Sequence, residues 1–271
     1  MSSSGATLAH LDLGVGTFSG RPVIEDIARV FPATLELATI ALLFGSVLGV
    51  PLGVFAAVYR GSIFEHIARI VGLIGYSTPI FWLGLMGLLV FYGRLGWVGG
   101  PGQIDSYYIG LVPRTTNLLL VDSILANQWD VFWNAFSHIV LPGSILGVTA
   151  LAYIARMTRS LMLDQLGQEY ILTARAKGLP PRKVIWRHAF RATAVPLITV
   201  LALSYGFLLE GAVLTETVFA WPGLGQYLAS SLLQGDMNAV LGSTLLIGII
   251  FIFLNQISDL LYRILDPRTR N

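Results

Sequence analysis

The sequence predicts an all-α membrane protein that crosses the bilayer several times. Of its 271 residues, 55% are hydrophobic and only 12% are charged, whereas a soluble domain carries about 25% charged residues. The apolar residues also form long runs, and roughly 20 apolar residues in a helix cross a hydrocarbon core of about 30 Å. Five runs are long enough, at about 34–58, 70–93, 136–157, 194–215 and 239–261.

The first two runs contain residues that interrupt soluble helices. The run 34–58 holds Gly45, Gly49, Pro51 and Gly53, which membrane helices tolerate because neighbouring helices satisfy the freed backbone groups. The run 70–93 holds the polar stretch GYSTPIFWLG, in which Pro79 removes a backbone hydrogen bond and predicts a kink. Two interpretations stay open. The kink serves packing, or it is a hinge that lines a translocation path.

The positions of Lys and Arg predict the orientation, because positively charged residues are retained on the cytoplasmic side. Segments 59–69 and 156–193 and the tail 263–271 hold thirteen of the 17 basic residues. The alternate segments hold only Arg21, Arg29, Arg94 and Arg114. We therefore predict that the first set lies in the cytoplasm, and that residues 1–33 and the loop 94–134 lie outside.

The N-terminal 33 residues carry no apolar run and no signal peptide that could export them. Either the first run inserts with a free external N-terminus, or a preceding membrane helix is absent from this chain. The second interpretation is favoured.

Catalytic and metal-binding patterns are not found in the sequence. A phosphate-binding loop of the G-x-x-x-x-G-K-[ST] type needs a Lys followed by Ser or Thr, but Lys177 and Lys183, the two lysines, precede Gly178 and Val184. There are no cysteines, and the four histidines are far apart. We therefore predict no catalytic residues, no metal site and no enzymatic activity in this chain.

Polar residues inside the runs are candidate pore or gate residues, because an ionisable group in a membrane is a functional hypothesis by default. Glu210 faces a polar cavity or reaches the interface by snorkelling, and these alternatives stay open. On these physical grounds Ser77, Pro79, Ser204 and Glu210 are the candidates for the pore or gate.

The densest positive charge lies in the cytoplasmic segment 158–193, around EYILTARAKGLPPRKVIWRH at 169–188. Helix formers up to Lys177, then Gly178 and Pro180–Pro181, predict a short helix, a sharp turn and a second helix. The second helix is amphipathic, with basic residues around an apolar face. The charge alone requires only a topogenic role. The small residues Ala174, Ala176 and Gly178, in contrast, permit close approach by another surface.

The stretch EYILTARAKGLPPRKVIWRHAFRATAVPLIT resembles the cytoplasmic coupling loop of ATP-binding-cassette (ABC) importer permeases of the dipeptide, oligopeptide and nickel branch. The stretches LDLGVGTFSGRPV, PATLELA, STPIFWLG, HIVLPG and LTETVFAWPGLG resemble that branch in the same order. The resemblance covers nearly the whole chain from about Leu11. One departure is Leu172-Thr173-Ala174, which stands where the general loop has Glu-Ala-Ala, as it commonly does in this branch.

The resemblance implies the transmembrane domain of a type I ABC importer, residues 34–262 here, in a bacterial cytoplasmic membrane. Family members have six spans, so five visible spans imply a missing first helix. The implied partners are a second permease, two ATPase subunits that use ATP and Mg²⁺, and an external substrate-binding protein. The residues implied to dock on an ATPase are Glu169, Tyr170, Thr173, Ala174, Arg175, Ala176, Lys177 and Gly178.

The implied function is to form the path by which peptides, nickel chelates or similar small solutes enter the cell. The main alternative is a secondary transporter driven by an ion gradient, which should show inverted repeats and charges at mid-membrane. A membrane-embedded enzyme is the other, and it lacks a catalytic constellation.

Overall fold

The computed structural model describes residues 13–265, without the side chains of Tyr76, Ser258, Asp259 and 261–265. Apart from one isolated β-bridge, every regular element in this range is helical. The all-α class that the composition predicts is therefore confirmed. Residues 1–12 of the predicted external segment and residues 266–271 of the predicted tail lie outside the described residues.

The first helix, α1 (Val23–Val58), starts well before the apolar run that predicts it at 34. Its first turn carries Glu25 and Asp26, which are favourable at the positive end of the helix dipole. With 36 residues it measures roughly 54 Å, nearly twice the hydrocarbon thickness. The helix therefore continues beyond the apolar run on the external side.

The second run forms two helices, α2 (Ile63–Ser77) and α3 (Ile80–Gly87), whose directions differ by 100°. Thr78 and Pro79 between them have extended backbone conformations. The Pro79 ring disfavours a helical conformation in the residue before it, so the predicted kink is a complete break. A π-helical turn, Leu88–Arg94, continues α3.

An external loop follows and contains a short helix, α4 (Leu119–Leu125). Oε1 of Glu36 in α1 accepts a 2.7 Å hydrogen bond from the amide of Leu120. That amide is one of the first-turn donors of α4, which have no partner within the helix. Glu36 therefore fixes the external loop against α1.

The rest of the described chain forms three long helices, α5, α8 and α10, and several short elements. The elements are α5 (Trp129–Leu166), α6 (Glu169–Ala176), α7 (Pro181–Lys183), a π-helical turn (Val184–Ala189), α8 (Phe190–Val218), α9 (Leu224–Gln234) and α10 (Met237–Leu265). Within residues 13–265, four helices are long and apolar enough to cross a membrane, and the broken pair α2–α3 makes five if it is one span.

The outer end of α5 holds the external loop. Asn134 donates a 2.6 Å hydrogen bond from Nδ2 to Oδ2 of Asp105, and its Oδ1 accepts from the Asp105 amide at 3.0 Å. One turn further along, Nδ1 of the buried His138 donates to the carbonyl of Gly102 at 3.2 Å. The loop is therefore fastened to the first turns of α5.

Helices α1 and α5 pack closely because glycines line their contact. A Cβ on Gly49 would lie 3.0 Å from the carbonyl oxygen of Leu151, and one on Gly53 would lie 2.6 Å from that of Ala155. On the facing helix, a Cβ on Gly147 would lie 2.7 Å from the Ala41 carbonyl oxygen. Small residues at four-residue spacing allow membrane helices to approach in this way, so the glycines of the first run are packing residues.

A buried polar network joins α1 to the end of α8. Oγ1 of Thr34 donates a 2.6 Å hydrogen bond to Oε1 of Glu216 and accepts a 2.7 Å hydrogen bond from the amide of Leu224. Close by, Nε1 of Trp221 donates to the carbonyl of Ala33 at 2.9 Å. All of these groups are buried. The turn between α8 and α9 is therefore fixed against α1.

The segment before α1 is held by the turn that precedes α10. Oδ2 of Asp236 accepts hydrogen bonds from the amides of Thr17 and Phe18, at 2.6 and 3.4 Å. Nδ2 of Asn238 donates a 3.0 Å hydrogen bond to the carbonyl of Val15. The described part of the N-terminal segment is therefore an ordered element of the external face.

Candidate functional site

The predicted docking residues occupy α6 and the turn after it. Gly178 has a φ of +74°, its amide donates to the carbonyl of Arg175 at 2.9 Å, and the Leu179 amide donates to that of Ala174 at 3.3 Å. These two hydrogen bonds form a Schellman motif, which requires a left-handed residue and favours glycine. The sequence predicts this helix stop correctly.

The chain then reverses at two prolines. Pro181 occupies the first turn of α7, where a missing N–H costs nothing because that group has no partner within a helix. In the basic helix that follows, the apolar residues Val184 and Ala189 are buried and the four basic residues are exposed. Those residues are Arg182, Lys183, Arg187 and Arg191. The amphipathic pattern predicted from the sequence is therefore present.

The inner face of α6 is built into the membrane domain. Ile171 has no exposed surface and Ala174 is 6% exposed. Both belong to one apolar cluster with residues of α1, α5 and the π-helical turn, which include Val54, Met162 and Val184. Ala174, one of the predicted docking residues, thus faces its own chain and supports α6.

The outer face of α6 carries the other predicted docking residues. Glu169, Tyr170, Thr173, Arg175, Ala176, Lys177 and Gly178 are all exposed. The Tyr170 hydroxyl donates a 2.8 Å hydrogen bond to Oε1 of Gln165, and partial burial raises the pKa of Tyr170. Because the apolar cluster holds the inner face, the outer face of α6 is an exposed surface in a fixed position on the membrane helices.

The helix break places Ser77 beside a charged cavity. Ser77 is exposed and lines a cavity of about 430 Å³ between α2 and α5. The charged residues around it are Glu65, Arg69, Arg156 and Arg159. Oε1 of Glu65 lies 2.7 Å from Nη2 of Arg159. Pro79 stands just beyond Ser77, at the start of α3.

Ser204 lies on an adjacent groove of about 470 Å³ between α3, α5 and α8. It is 3% exposed, and its hydroxyl donates to the carbonyl of Val200 at 2.7 Å. Thr78, Thr149 and Tyr153 supply the other polar groups of this groove. Ser77 and Ser204 therefore line two separate depressions, and Pro79 stands at the helix break between Ser77 of the first and Ile80 of the second.

Glu210 lines neither of these two depressions. It is exposed and lines a crevice of about 10 Å³ where α8 faces α10. The structure thus separates it from the other three predicted pore residues.

Glu216 is a buried acid that was not among the predicted site residues, and it has no exposed surface. Its Oε1 accepts from Thr34, and its Oε2 accepts a 3.0 Å hydrogen bond from the amide of Gln226. A Cβ on Gly223 would collide with the Glu216 carboxylate. The available signal was the Trp-Pro-Gly-Leu-Gly stretch that follows Glu216 in the sequence. Thr34, the hydrogen-bond partner of Glu216, lies far away in the sequence.

No group of three or more His, Asp and Glu side chains that could hold a metal ion occurs in the described part of the chain. The prediction of no cofactor site in this chain stays a prediction.

The fold matches membrane subunits of ABC importers. An inward-facing structure of the MetNI methionine ABC transporter aligns over 90% of this chain and 98% of that chain, with a TM-score of 0.65 and 20% sequence identity. An amino acid ABC transporter crystallised with histidines aligns over 92% of this chain and 99% of that chain, with a TM-score of 0.63 and 12% identity. The fold is therefore the one found in these ABC transporter chains.

Sequence comparison gives the family. Residues 49–271 match the model for binding-protein-dependent transport system inner membrane components. The probable D,D-dipeptide transport system permease protein DdpB of Escherichia coli is 44% identical over 263 residues, which are 96% of this chain and 76% of that protein. The di/tripeptide transport system permease protein DppB of Pseudomonas aeruginosa is 42% identical over 264 residues, which are 97% of this chain and 78% of that protein.

The chain belongs to this family of binding-protein-dependent permeases. It is a permease subunit of an ABC importer and a multi-pass protein of the bacterial inner membrane. The comparisons favour this function over the ion-gradient-driven transporter that the sequence analysis kept as its alternative.

Proposed function

We propose that this permease carries short peptides into the cell and is driven by separate ATPase subunits. The observation that carries the proposal is its similarity, over nearly its whole length, to permeases named for dipeptide and di/tripeptide transport. Nickel chelates, opines and short sugars remain the competing substrates.

The proposed assembly contains a second, homologous permease, two ATPases that bind ATP and Mg²⁺, and an external substrate-binding protein. The outer face of α6 and the turn at Gly178 dock on one ATPase, through Glu169, Tyr170, Thr173, Arg175, Ala176 and Lys177. Ala174 contributes by seating α6. Because α6 is packed against α1 and α5, a movement of the ATPase is transmitted to the membrane helices.

The proposed translocation surface includes Ser77, Pro79 and Ser204, because Ser77 lines the charged cavity, Ser204 lines the groove between α3, α5 and α8, and Pro79 stands at the helix break between α2 and α3. Extended backbone at Thr78 and Pro79 provides a hinge between α2 and α3. Glu210 contributes from the separate crevice where α8 faces α10.

The test is reconstitution in proteoliposomes with the proposed second permease, ATPases and substrate-binding protein. We expect uptake of labelled dialanine that requires ATP on the side of the membrane where the ATPases are bound. An ion gradient should not change this uptake. Nickel is offered as a competing substrate. Uptake that follows an ion gradient without the ATPases would overturn the proposed mechanism, and ATP-driven uptake of nickel alone would overturn the proposed substrate.

A further inference from the structure

The external face contains a small cavity with an unusual concentration of positive charge. Its volume is about 130 Å³, and it lies between the outer part of α1, the external loop, α4 and the turn after α8. Only four basic residues are expected on the external side, and two of them, Arg29 and Arg114, line this one cavity. Topogenesis does not explain them, since cations are needed on the cytoplasmic side.

Neither guanidinium is neutralised within the described part of the chain. The ion pairs found there join Glu65 to Arg159 and Asp105 to His138, so no carboxylate lies within 4.0 Å of Arg29 or Arg114. Both arginine residues are exposed to solvent. They are therefore available for a ligand.

Asp122 of α4 also lines the cavity and is held by hydrogen bonds. Oδ1 of the buried Asp122 accepts hydrogen bonds from the amide and the hydroxyl of Thr116, both at 2.8 Å. Oδ2 of Asp122 is buried without a hydrogen-bond partner. Two guanidiniums and one carboxylate leave the cavity with a formal charge of +1, which a single carboxylate on a ligand would neutralise.

We propose that this cavity is a subsite for the C-terminal carboxylate of a short peptide at the external mouth of the permease. The planar guanidinium matches a carboxylate in a two-point contact, and the Asn117 and Gln103 side chains that also line the cavity can hydrogen-bond to the last peptide group. A cavity of about 130 Å³ is large enough for the end of a peptide and too small for the surface of a protein partner. The carboxylate assignment rests on the proposed peptide function.

The test measures binding of labelled dialanine and of its C-terminal amide to the purified permease complex without the binding protein. We expect the complex to bind the free acid more tightly than the amide by about tenfold or more, the usual effect of a charge-assisted hydrogen-bond pair. Arg114→Gln and Arg29→Gln should each remove most of this preference. Arg114→Lys should keep part of the preference for the free acid, because lysine retains the positive charge but cannot make the two-point contact of a guanidinium.

Arg21→Gln is the matched control, because Arg21 is external and exposed but does not line the cavity. It should bind both probes like the unchanged protein. Equal binding of acid and amide, no measurable binding, or unchanged preference in Arg29→Gln and Arg114→Gln would each overturn the subsite.

A second experiment distinguishes two sources of the carboxylate that could enter the cavity. One is the peptide terminus, and the other is an acidic side chain of the binding protein. If the arginine variants weaken association of the substrate-binding protein and leave dialanine binding unchanged, the cavity is a protein contact and the proposal fails. ATP-driven uptake by the unchanged complex is measured in parallel. If peptide uptake is normal and the acid preference is missing, the subsite fails while the proposed function stands.

Discussion

Oγ1 of Thr34 lies 2.6 Å from Oε1 of Glu216, and both residues are almost completely buried. Thr34 belongs to α1 and Glu216 to the last turn of α8. The same hydroxyl also accepts the Leu224 amide, so one oxygen holds α8 and α9 against α1. Polar groups buried in this way are costly to leave unpaired, which makes Thr34 a central residue of the external half.

Thr34→Val tests this network, because valine has nearly the shape of threonine and lacks the hydroxyl. The change leaves Oε1 of Glu216 and the Leu224 amide without the Thr34 partner. At about 1–3 kcal/mol for each unsatisfied buried group, we expect the free energy of unfolding to fall by about 2–6 kcal/mol, measured by denaturation in detergent. Thr34→Ser keeps the hydroxyl and should lose much less. Equal stability of Thr34→Val and the unchanged protein would contradict the role of this hydrogen bond.

Gly53→Ala tests the close contact of α1 and α5. Its Cβ would lie 2.6 Å from the Ala155 carbonyl oxygen, so we expect overpacking to lower stability by about 1–3 kcal/mol, seen as a lower melting temperature in detergent. Gly248→Ala in α10 is the control, because no atom lies within 4 Å of its added Cβ and alanine favours a helix. That variant should melt at or above the temperature of the unchanged protein. An unchanged melting temperature of Gly53→Ala would show that α1 and α5 do not approach each other this closely.

Substitutions at Gly178 separate backbone conformation from surface contact. A Cβ added at Gly178 would meet nothing within 4 Å, so the space next to this residue is free for the proposed ATPase. Gly178→Asn tolerates the left-handed conformation and is small, so we expect ATP-driven uptake to persist. Gly178→Tyr should reach the membrane in normal amount. Its uptake rate should be lower by about tenfold or more, which is equivalent to about 1.4 kcal/mol. Normal uptake by Gly178→Tyr would exclude docking at this turn.

Asp236 predicts a dependence of stability on acid pH. Burial would raise the pKa of its carboxyl, but hydrogen bonds from the amides of Ala239, Thr17 and Phe18 hold the pKa below its ordinary value. A lowered folded-state pKa gives stability that is complete above the ordinary value of about 3.9 and is lost as the pH falls through the lowered value. We expect hydrogen exchange at residues 14–20 to stay slow from pH 7 to about pH 4, after correction for the intrinsic rate, and to accelerate below it.

Asp236→Asn should weaken the attachment of this segment at neutral pH and remove its acid dependence, because the amide keeps an acceptor oxygen and has no charge. Asp130→Asn, at an exposed position in the first turn of α5, should leave the exchange profile unchanged. A profile that is identical for the unchanged protein and Asp236→Asn would rule out this linkage.

The fold class and the cytoplasmic turn could be predicted because both depend on local sequence. Long apolar runs are sufficient for membrane helices, and Gly178 with Pro180 and Pro181 is sufficient for a helix stop and restart. The break at Pro79 was predicted only as a kink, since whether the residue before a proline leaves the helix depends on the surrounding packing. Similarly, the start of α1 at Val23 is not visible in an apolar window.

The polar contacts could not be predicted, because they join distant parts of the chain. Glu36 caps α4 across the external loop, and Glu216 meets Thr34 across most of the sequence. From sequence alone, Glu210 was the more conspicuous acid of α8, and the structure places it on an exposed crevice. A single sequence indicates that an acid is near the membrane, but the acid's partners are set by tertiary packing.

The length of α5 has a mechanical consequence. The helix has 38 residues, or roughly 57 Å, with the loop before it attached at Asn134 and α6 starting after Gly167 and Gln168. A tilt of about 10° around its outer end would displace α6 by roughly 10 Å. A rigid rotation of α5 that is small at Asn134 would thus be a large displacement at α6.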